Sequence, residues 1–153
     1  MVHYHAIMAA NTITSRDIEI RLVSSWDVEE IVGLYRAGGW WKDTYDMQGI
    51  TPLIKGSFAF AVAVDKRSSK PVGMGRVISD GVSDGYIQDL VVLPEYRRKG
   101  IGNRIVSTLV EACKAKGLGW IGLIAEPGSE NFYRSLGFNV MPGHIPMLYS
   151  GKP

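Results

Sequence analysis

A strand that runs directly into a basic, glycine-bearing turn and then into a helix is the feature that most limits how this chain can fold. Residues 86–93 (YIQDLVVL) are mostly apolar, and the run ends at Pro94. The turn RRKGIG follows at 97–102, and a helical pattern begins there. Glycine lets a backbone approach an anion closely, and a helix N-terminus favours negative charge. The stretch therefore predicts a phosphate site at residues 97–103.

The composition is that of one globular domain. The chain has 153 residues, of which 46% are hydrophobic and 21% charged, so it can bury a core. Its net charge of +2 is too small to argue for a nucleic-acid partner, and no apolar run approaches the roughly 18 residues of a membrane span. A single cysteine, Cys113, allows no intrachain disulfide, and the N-terminus lacks a secretory pattern. We expect a soluble, cytoplasmic protein that binds neither nucleic acid nor membrane.

The apolar periods predict an alternation of strands and helices after an N-terminal arm at 1–17. Predicted strands lie at 18–23, 58–65, 72–79, 86–93 and 120–125, with one or two short strands after 138, including 147–149; predicted helices lie at 25–38, 50–55, 101–117 and 131–136. The three strands in the middle form an antiparallel meander, whereas the strand–helix–strand unit after it is parallel. The prediction is a single α/β domain of the α+β type at 18–153. Its sheet is mixed, mostly antiparallel, with about six to seven strands and about four flanking helices.

Three known phosphate-binding patterns can be compared with the glycine turn. A Walker loop requires Lys and then Ser or Thr after its last glycine, but Gly102 is followed by Asn103. A dinucleotide fingerprint requires a third glycine where Ile105 stands. The pattern Arg/Gln-x-x-Gly-x-Gly/Ala after a strand fits every position of 97–102.

That turn resembles motif A of the GCN5-related N-acetyltransferases, the GNAT superfamily. Residues 131–138 (NFYRSLGF) are similar to the family's motif B, commonly FYxxLGF, at a fitting distance downstream. The resemblance implies a GNAT-like fold from residue 18 onward and acetyl-CoA as cosubstrate, without a metal. It also implies direct attack of an amine on the thioester within a ternary complex.

The resemblance assigns residues to acetyl-CoA. Backbone N–H groups of the glycine turn would bind the pyrophosphate, helped by three basic side chains, while the strand before the turn carries a bulge and pairs with the pantetheine. A freed N–H on that strand would polarise the thioester carbonyl. The implied contacts are Leu90, Val91, Val92, Arg97, Arg98, Lys99, Gly100, Ile101, Gly102, Asn103 and Asn131.

Catalytic roles follow from the resemblance in part. Tyr133 matches the family's general acid, which would protonate the leaving thiolate. Relatives carry a Glu or His base on the central strand, whereas the nearest positions here are Tyr86 and Gln88. Asp89 is the only carboxylate inside the strand, and it either serves as base through a water chain or holds Arg76 of the adjacent strand.

An aromatic loop at 39–48 (GWWKDTYDMQ) admits two interpretations. Trp40, Trp41 and Tyr45 either cover one end of the core or, with Tyr86, line a pocket for an aromatic or cationic amine. The predicted function is acetyl transfer to a primary amine of a small molecule. Protein or peptide N-acetylation and a non-catalytic acetyl-CoA-binding module remain alternatives, and homodimer formation is left open.

Overall fold

The computed structural model describes residues 12–151, in which five strands form one sheet in the order β1-β2-β3-β4-β5. The strands are β1 (Ile18–Leu22), β2 (Ala59–Asp65), β3 (Lys70–Ile78), β4 (Asp84–Val92) and β5 (Trp120–Gly122). The helices are α1 (Val28–Ala37), α2 (Ile50–Gly56), α3 (Ile101–Lys116) and α4 (Glu130–Arg134), with short 3₁₀ turns at Ser15–Asp17, Met47–Gly49 and Pro94–Tyr96. Only the β4–β5 pair is parallel, so the predicted mixed, mostly antiparallel sheet is confirmed.

The interior strand β2 is buried on both faces, with small side chains on one face and large side chains on the other. Ala59, Ala61 and Ala63 belong to the cluster that packs against α3. Phe60 and Val62 alternate with them and pack against α1 and α2 on the other face. Small residues therefore allow α3 to approach the sheet closely, while large residues fill the space under the two shorter helices.

Helix α3 presents the predicted apolar stripe to the sheet. Ile105, Leu109 and Cys113 are fully buried, so Cys113 is a core residue. Two glycines of β3 lie directly beneath this stripe. A Cβ on Gly73 would stand 2.9 Å from the Val91 carbonyl oxygen, and one on Gly75 would stand 3.0 Å from Ile105 Cγ2. The helix can lie this close because both positions lack a side chain.

The start of α1 differs in detail from the sequence prediction. Asp27, rather than Ser24 or Ser25, is the N-cap, and its carboxylate accepts a hydrogen bond from the Glu30 backbone N–H at 2.9 Å. Both are good capping residues, and the acidic first turn adds a favourable interaction with the helix dipole.

The described residues form five strands, slightly fewer than the about six to seven predicted, since no strand forms after α4. Residues 147–149 are irregular, and Ile145, Met147, Leu148 and Tyr149 are between 81% and 95% exposed. As a result β5 is an edge strand of three residues with an exposed Trp120, shorter than the strand predicted at 120–125. An apolar run alone does not specify what covers it.

Most of the predicted arm, up to residue 11, lies outside the described residues. Its last part is the 3₁₀ turn Ser15–Asp17, and Arg104 of α3 donates to the carbonyl oxygens of Ser15 and Ile18, at 2.9 Å each. Within residues 12–151 no helix combines the length and apolarity that crossing a membrane would require.

Candidate active site

Strand β4 carries a β-bulge at Asp89. Met74 pairs with Val91 and Arg76 pairs with Gln88, so two residues of β4 lie opposite Gly75 alone. Asp89 has a φ of 60°, in the left-handed region. In a regular strand Asp89 would share a face with Ile87, which is buried against α3. The bulge turns its carboxylate to the opposite face, toward α1.

A gap opens between β4 and β5. Their parallel pairing covers three positions and ends where Tyr86 pairs with Gly122. In the described part of the chain, the rest of β4 has no partner strand on that side. Leu90, Val91 and Val92, the residues assigned to pantetheine by resemblance, lie along this stretch. An extended ligand could pair with such a free edge as an added strand does.

The predicted phosphate site, at residues 97–103, is a turn that leads directly into a helix, as its sequence indicated. Arg98 and Gly100 adopt positive φ values of 60° and 73°, and α3 begins at Ile101 without a side-chain cap. The N–H groups of the first helical turn therefore lack intrahelical partners and point away from the helix, as an anion site requires. Gly102 packs beneath Phe132 of α4, whose Cζ would lie 3.3 Å from an added Cβ.

The basic side chains of this site are not equivalent. Arg97 Nε donates to the Val92 carbonyl oxygen at 3.1 Å, so this side chain folds back onto the end of β4. Arg98 and Lys99 make no ion pair with any residue in 12–151, which leaves both charges available to an anion. Asn103 and Asn131 are both exposed, on the first turn of α3 and on α4.

Tyr133 and Tyr86 line the same cavity, of about 750 Å³. Its walls come from β5 and the residues after it, from α4, and from the irregular segment after Phe138. The Tyr133 ring packs edge-to-face against Phe132 and Phe138, with centroids 4.9 Å and 5.9 Å away. Burial, followed by the negative charge of Glu126, raises the pKa of Tyr133 above its usual value of 10.0. The hydroxyl is therefore protonated at neutral pH and can donate a proton.

Asp89 is an ion-pair partner of Arg76, one of the two roles predicted for it. Arg76 Nε donates to Asp89 Oδ2 at 2.6 Å, and the Tyr35 hydroxyl donates to the same oxygen at 2.8 Å. Arg76 also reaches the side-chain oxygen of Gln88 at 3.1 Å. Burial and the Asp89 charge raise the pKa of Tyr35 well above its usual value.

The aromatic loop is placed apart from that cavity. Trp40 and Trp41 pack on the core cluster beneath α1 and α2, and neither they nor Tyr45 lines the cavity of Tyr86 and Tyr133. Trp41 and Tyr45 stack edge-to-face at 5.6 Å, and Tyr45 is about half exposed. The loop thus covers one end of the core and also presents an aromatic face to solvent.

Sequence reasoning did not identify Tyr35 as a site residue, because it belongs to the apolar stripe of α1. The signal that could have revealed it is Asp89, an acidic residue inside an apolar strand that must find a donor on another element. Among the described residues, no group of three or more His, Cys, Asp or Glu side chains is arranged to hold a metal ion.

The fold, the bulged strand β4 and the glycine turn at the start of α3 are together those of a class of acyltransferases. The model of the acetyltransferase (GNAT) family matches residues 40–138, and the chain belongs to that family.

Named relatives and solved structures agree with this membership. The chain is 31% identical to GCN5-related N-acetyltransferase 2, chloroplastic, of Arabidopsis thaliana, over 90% of this chain and 63% of that protein. It is 37% identical to serotonin N-acetyltransferase 2, chloroplastic, of Oryza sativa, over 51% of this chain and 39% of that protein. A GNAT family acetyltransferase from Streptococcus pneumoniae superposes with a TM-score of 0.70 at 27% identity, over 86% of this chain and 96% of that one. The chain thus spans less than two thirds of these two plant proteins.

Proposed function

We propose that this protein transfers the acetyl group of acetyl-CoA to the primary amine of a small molecule. The observation that carries the proposal is the continuity of the site. Gly102, on the first turn of α3, lies against Phe132, whose ring packs on Tyr133, and Tyr133 shares a cavity with Tyr86 at the last β4–β5 pair.

Different residues of the chain bind the cosubstrate, orient the thioester and donate the proton. The N–H groups at the start of α3, with Arg98 and Lys99, bind the pyrophosphate by charge and by hydrogen bonds. The β4 edge orients the thioester, so that the neutral amine attacks the carbonyl carbon in a ternary complex. As the C–S bond breaks, the electron pair stays on sulfur, and the phenol of Tyr133 gives that thiolate its proton. The nitrogen that formed the C–N bond loses its extra proton through solvent, and that proton restores the Tyr133 phenol.

Two features support a small amine as the acceptor. The cavity beside Tyr133 is mostly apolar and of a size that suits a small organic molecule. One relative is named a serotonin N-acetyltransferase, so arylalkylamines are the first acceptors to test. The cytoplasmic location expected from sequence stays a prediction, and the two plant relatives are named as chloroplastic.

The test is thiol release from acetyl-CoA in the presence of arylalkylamines, polyamines, amino sugars, amino acids and lysine peptides. Turnover with one of the small amines, confirmed by mass of the acetylated product, supports the proposal. Turnover with peptides alone would assign the alternative of protein acetylation. Tight binding of acetyl-CoA without any turnover would make the protein a binding module.

A further inference from the structure

We propose that Tyr35 and Arg76 are positioning residues that act through Asp89 to hold the β4 bulge in the shape that receives the thioester. The inference rests on the proposed function, because it gives this cluster a role in acetyl-CoA binding. It also assigns Asp89 a different task from the general base considered from sequence.

The first observation is that both donors converge on one atom. The Tyr35 hydroxyl, from α1, and Arg76 Nε, from β3, both donate to Asp89 Oδ2, at 2.8 Å and 2.6 Å. The Arg76 and Asp89 side chains are each only 16% exposed, so water competes little for these hydrogen bonds. The carboxylate is thereby tied to two elements outside β4, namely α1 and β3.

The second observation is the backbone conformation at the same residue. Of the non-glycine residues in 12–151 with positive φ, Asp89 alone lies within a strand; Ser69 is in a hairpin turn and Arg98 is in the phosphate site. Such a conformation persists only where the surroundings enforce it, and Asp and Asn adopt it more readily than other side chains. The two hydrogen bonds to the Asp89 carboxylate hold the backbone in this conformation.

The bulge lies at the place where the pantetheine would end. It comes three residues after the last β4–β5 pair at Tyr86, within the open stretch of β4. A bulge leaves backbone groups unpaired and aims them away from the ladder. Loss of the Asp89 anchor would let β4 return toward regular pairing with β3 and withdraw those groups from the thioester.

The convergence on one oxygen makes Asp89→Asn a sharp test. The side-chain oxygen of asparagine can accept both hydrogen bonds, and asparagine tolerates the positive φ, but its amide cannot act as a base. Asp89→Ala removes the acceptor and disfavours the backbone conformation. Tyr35→Phe removes one donor and keeps the ring in the core. Tyr149→Phe removes an exposed hydroxyl elsewhere and serves as the matched control.

The experiment measures two dissociation constants for each variant, one for acetyl-CoA and one for the 3′-phosphorylated ADP half of CoA. We expect Asp89→Asn and Tyr149→Phe to bind acetyl-CoA within about threefold of wild type, whereas Asp89→Ala binds it about tenfold more weakly, a loss of about 1.4 kcal/mol. Tyr35→Phe should fall between them. The nucleotide half, which uses only the phosphate site, should bind all variants equally, which also shows that they fold.

Two outcomes would overturn the inference. One is wild-type acetyl-CoA affinity in Asp89→Ala. The other is a loss of about 10²-fold or more in kcat for Asp89→Asn together with loss of the acidic limb of its pH profile, which would make Asp89 the base. Failure of the proposed function would give a different result. The wild-type protein would then turn over no amine and would bind the nucleotide half no more weakly than acetyl-CoA. That result would overturn the proposed function and this inference together.

Discussion

The Tyr96 hydroxyl donates a hydrogen bond of 2.9 Å to Asp65 Oδ2, which ties the turn before the phosphate site to the end of β2. The carboxylate of Asp65 is 1% exposed and also accepts bonds from the backbone N–H, Nε and Nη2 of Arg67. Hydrogen bonds from the Arg67 side chain, ahead of those from its backbone and from Tyr96, lower the pKa of Asp65 to about 2. The turn that leads into the predicted phosphate site is therefore held to β2 at Tyr96.

Replacement of Asp65 by asparagine should lower the free energy of unfolding at pH 7 by about 1.5–3 kcal/mol, the range for hydrogen bonds to a charged group. The native carboxyl titrates at about 2 and the unfolded one near 3.8. The unfolded state thus binds more protons below pH 4, so the stabilisation is present above about pH 4 and is lost as the pH falls toward 2. In urea unfolding at pH 7, 4 and 3, the free energy of unfolding of the wild type should approach that of Asp65→Asn as the pH falls. Glu19→Gln, which breaks an exposed ion pair with Arg21, is the control and should leave stability almost unchanged, because water screens that pair.

Gly100→Ala and Gly117→Ala form a matched pair at the two ends of α3. Both glycines have positive φ, 73° and 84°, and an added Cβ would meet nothing within 4 Å at either site. Each substitution should therefore cost about 1–2 kcal/mol of stability through backbone conformation alone. Only Gly100→Ala should also weaken acetyl-CoA binding, since only Gly100 shapes the phosphate site. Equal loss of binding in both variants, measured by calorimetry, would contradict the placement of that site.

Tyr133→Phe should lower kcat by about 10²-fold and leave the KM for acetyl-CoA almost unchanged, because the ring still packs and only the proton donor is lost. The pKa of Tyr133 is raised by burial and by Glu126, so its hydroxyl stays protonated up to at least about pH 9. The wild-type kcat should accordingly show no basic decline caused by this residue below that pH. A steady-state pH series on wild type, Tyr133→Phe and the control Tyr149→Phe measures both effects, and unchanged kcat would remove Tyr133 from the mechanism.

Gly73→Ala should destabilise the protein by about 1–3 kcal/mol, the usual cost of forcing atoms into a packed core. Its Cβ would lie 2.9 Å from the Val91 carbonyl oxygen and 3.1 Å from Ile105 Cδ1, so β4 or α3 must shift. Gly33→Ala, on the exposed face of α1 with no atom within 4 Å, should instead stabilise by about 0.4–1 kcal/mol. Thermal unfolding of both variants should therefore give shifts of opposite sign.

The sequence predicted those parts of the molecule whose cause is local. The spacing of apolar residues predicted the helices and the interior strands. The proposed phosphate site was predicted from glycines, which permit a positive φ before an uncapped helix. Residues 147–149 show where this reasoning stops. Their apolar character resembles that of a strand, yet pairing depends on a partner edge, and no ladder forms there in the described chain.

By itself, then, the sequence determined the order of elements, the turn that starts α3 and the position of Tyr133 on a short helix after β5. Only the tertiary structure decided which side chains meet. Tyr35 is 54 residues from Asp89, and Tyr96 is 31 residues from Asp65. It also placed Trp40 and Trp41 under α1 and α2, apart from the cavity of Tyr133. The physical reason is that a buried polar group needs a hydrogen-bond partner nearby in space. The packing of helices on the sheet decides which of several suitable side chains becomes that partner, and the sequence alone does not distinguish among them.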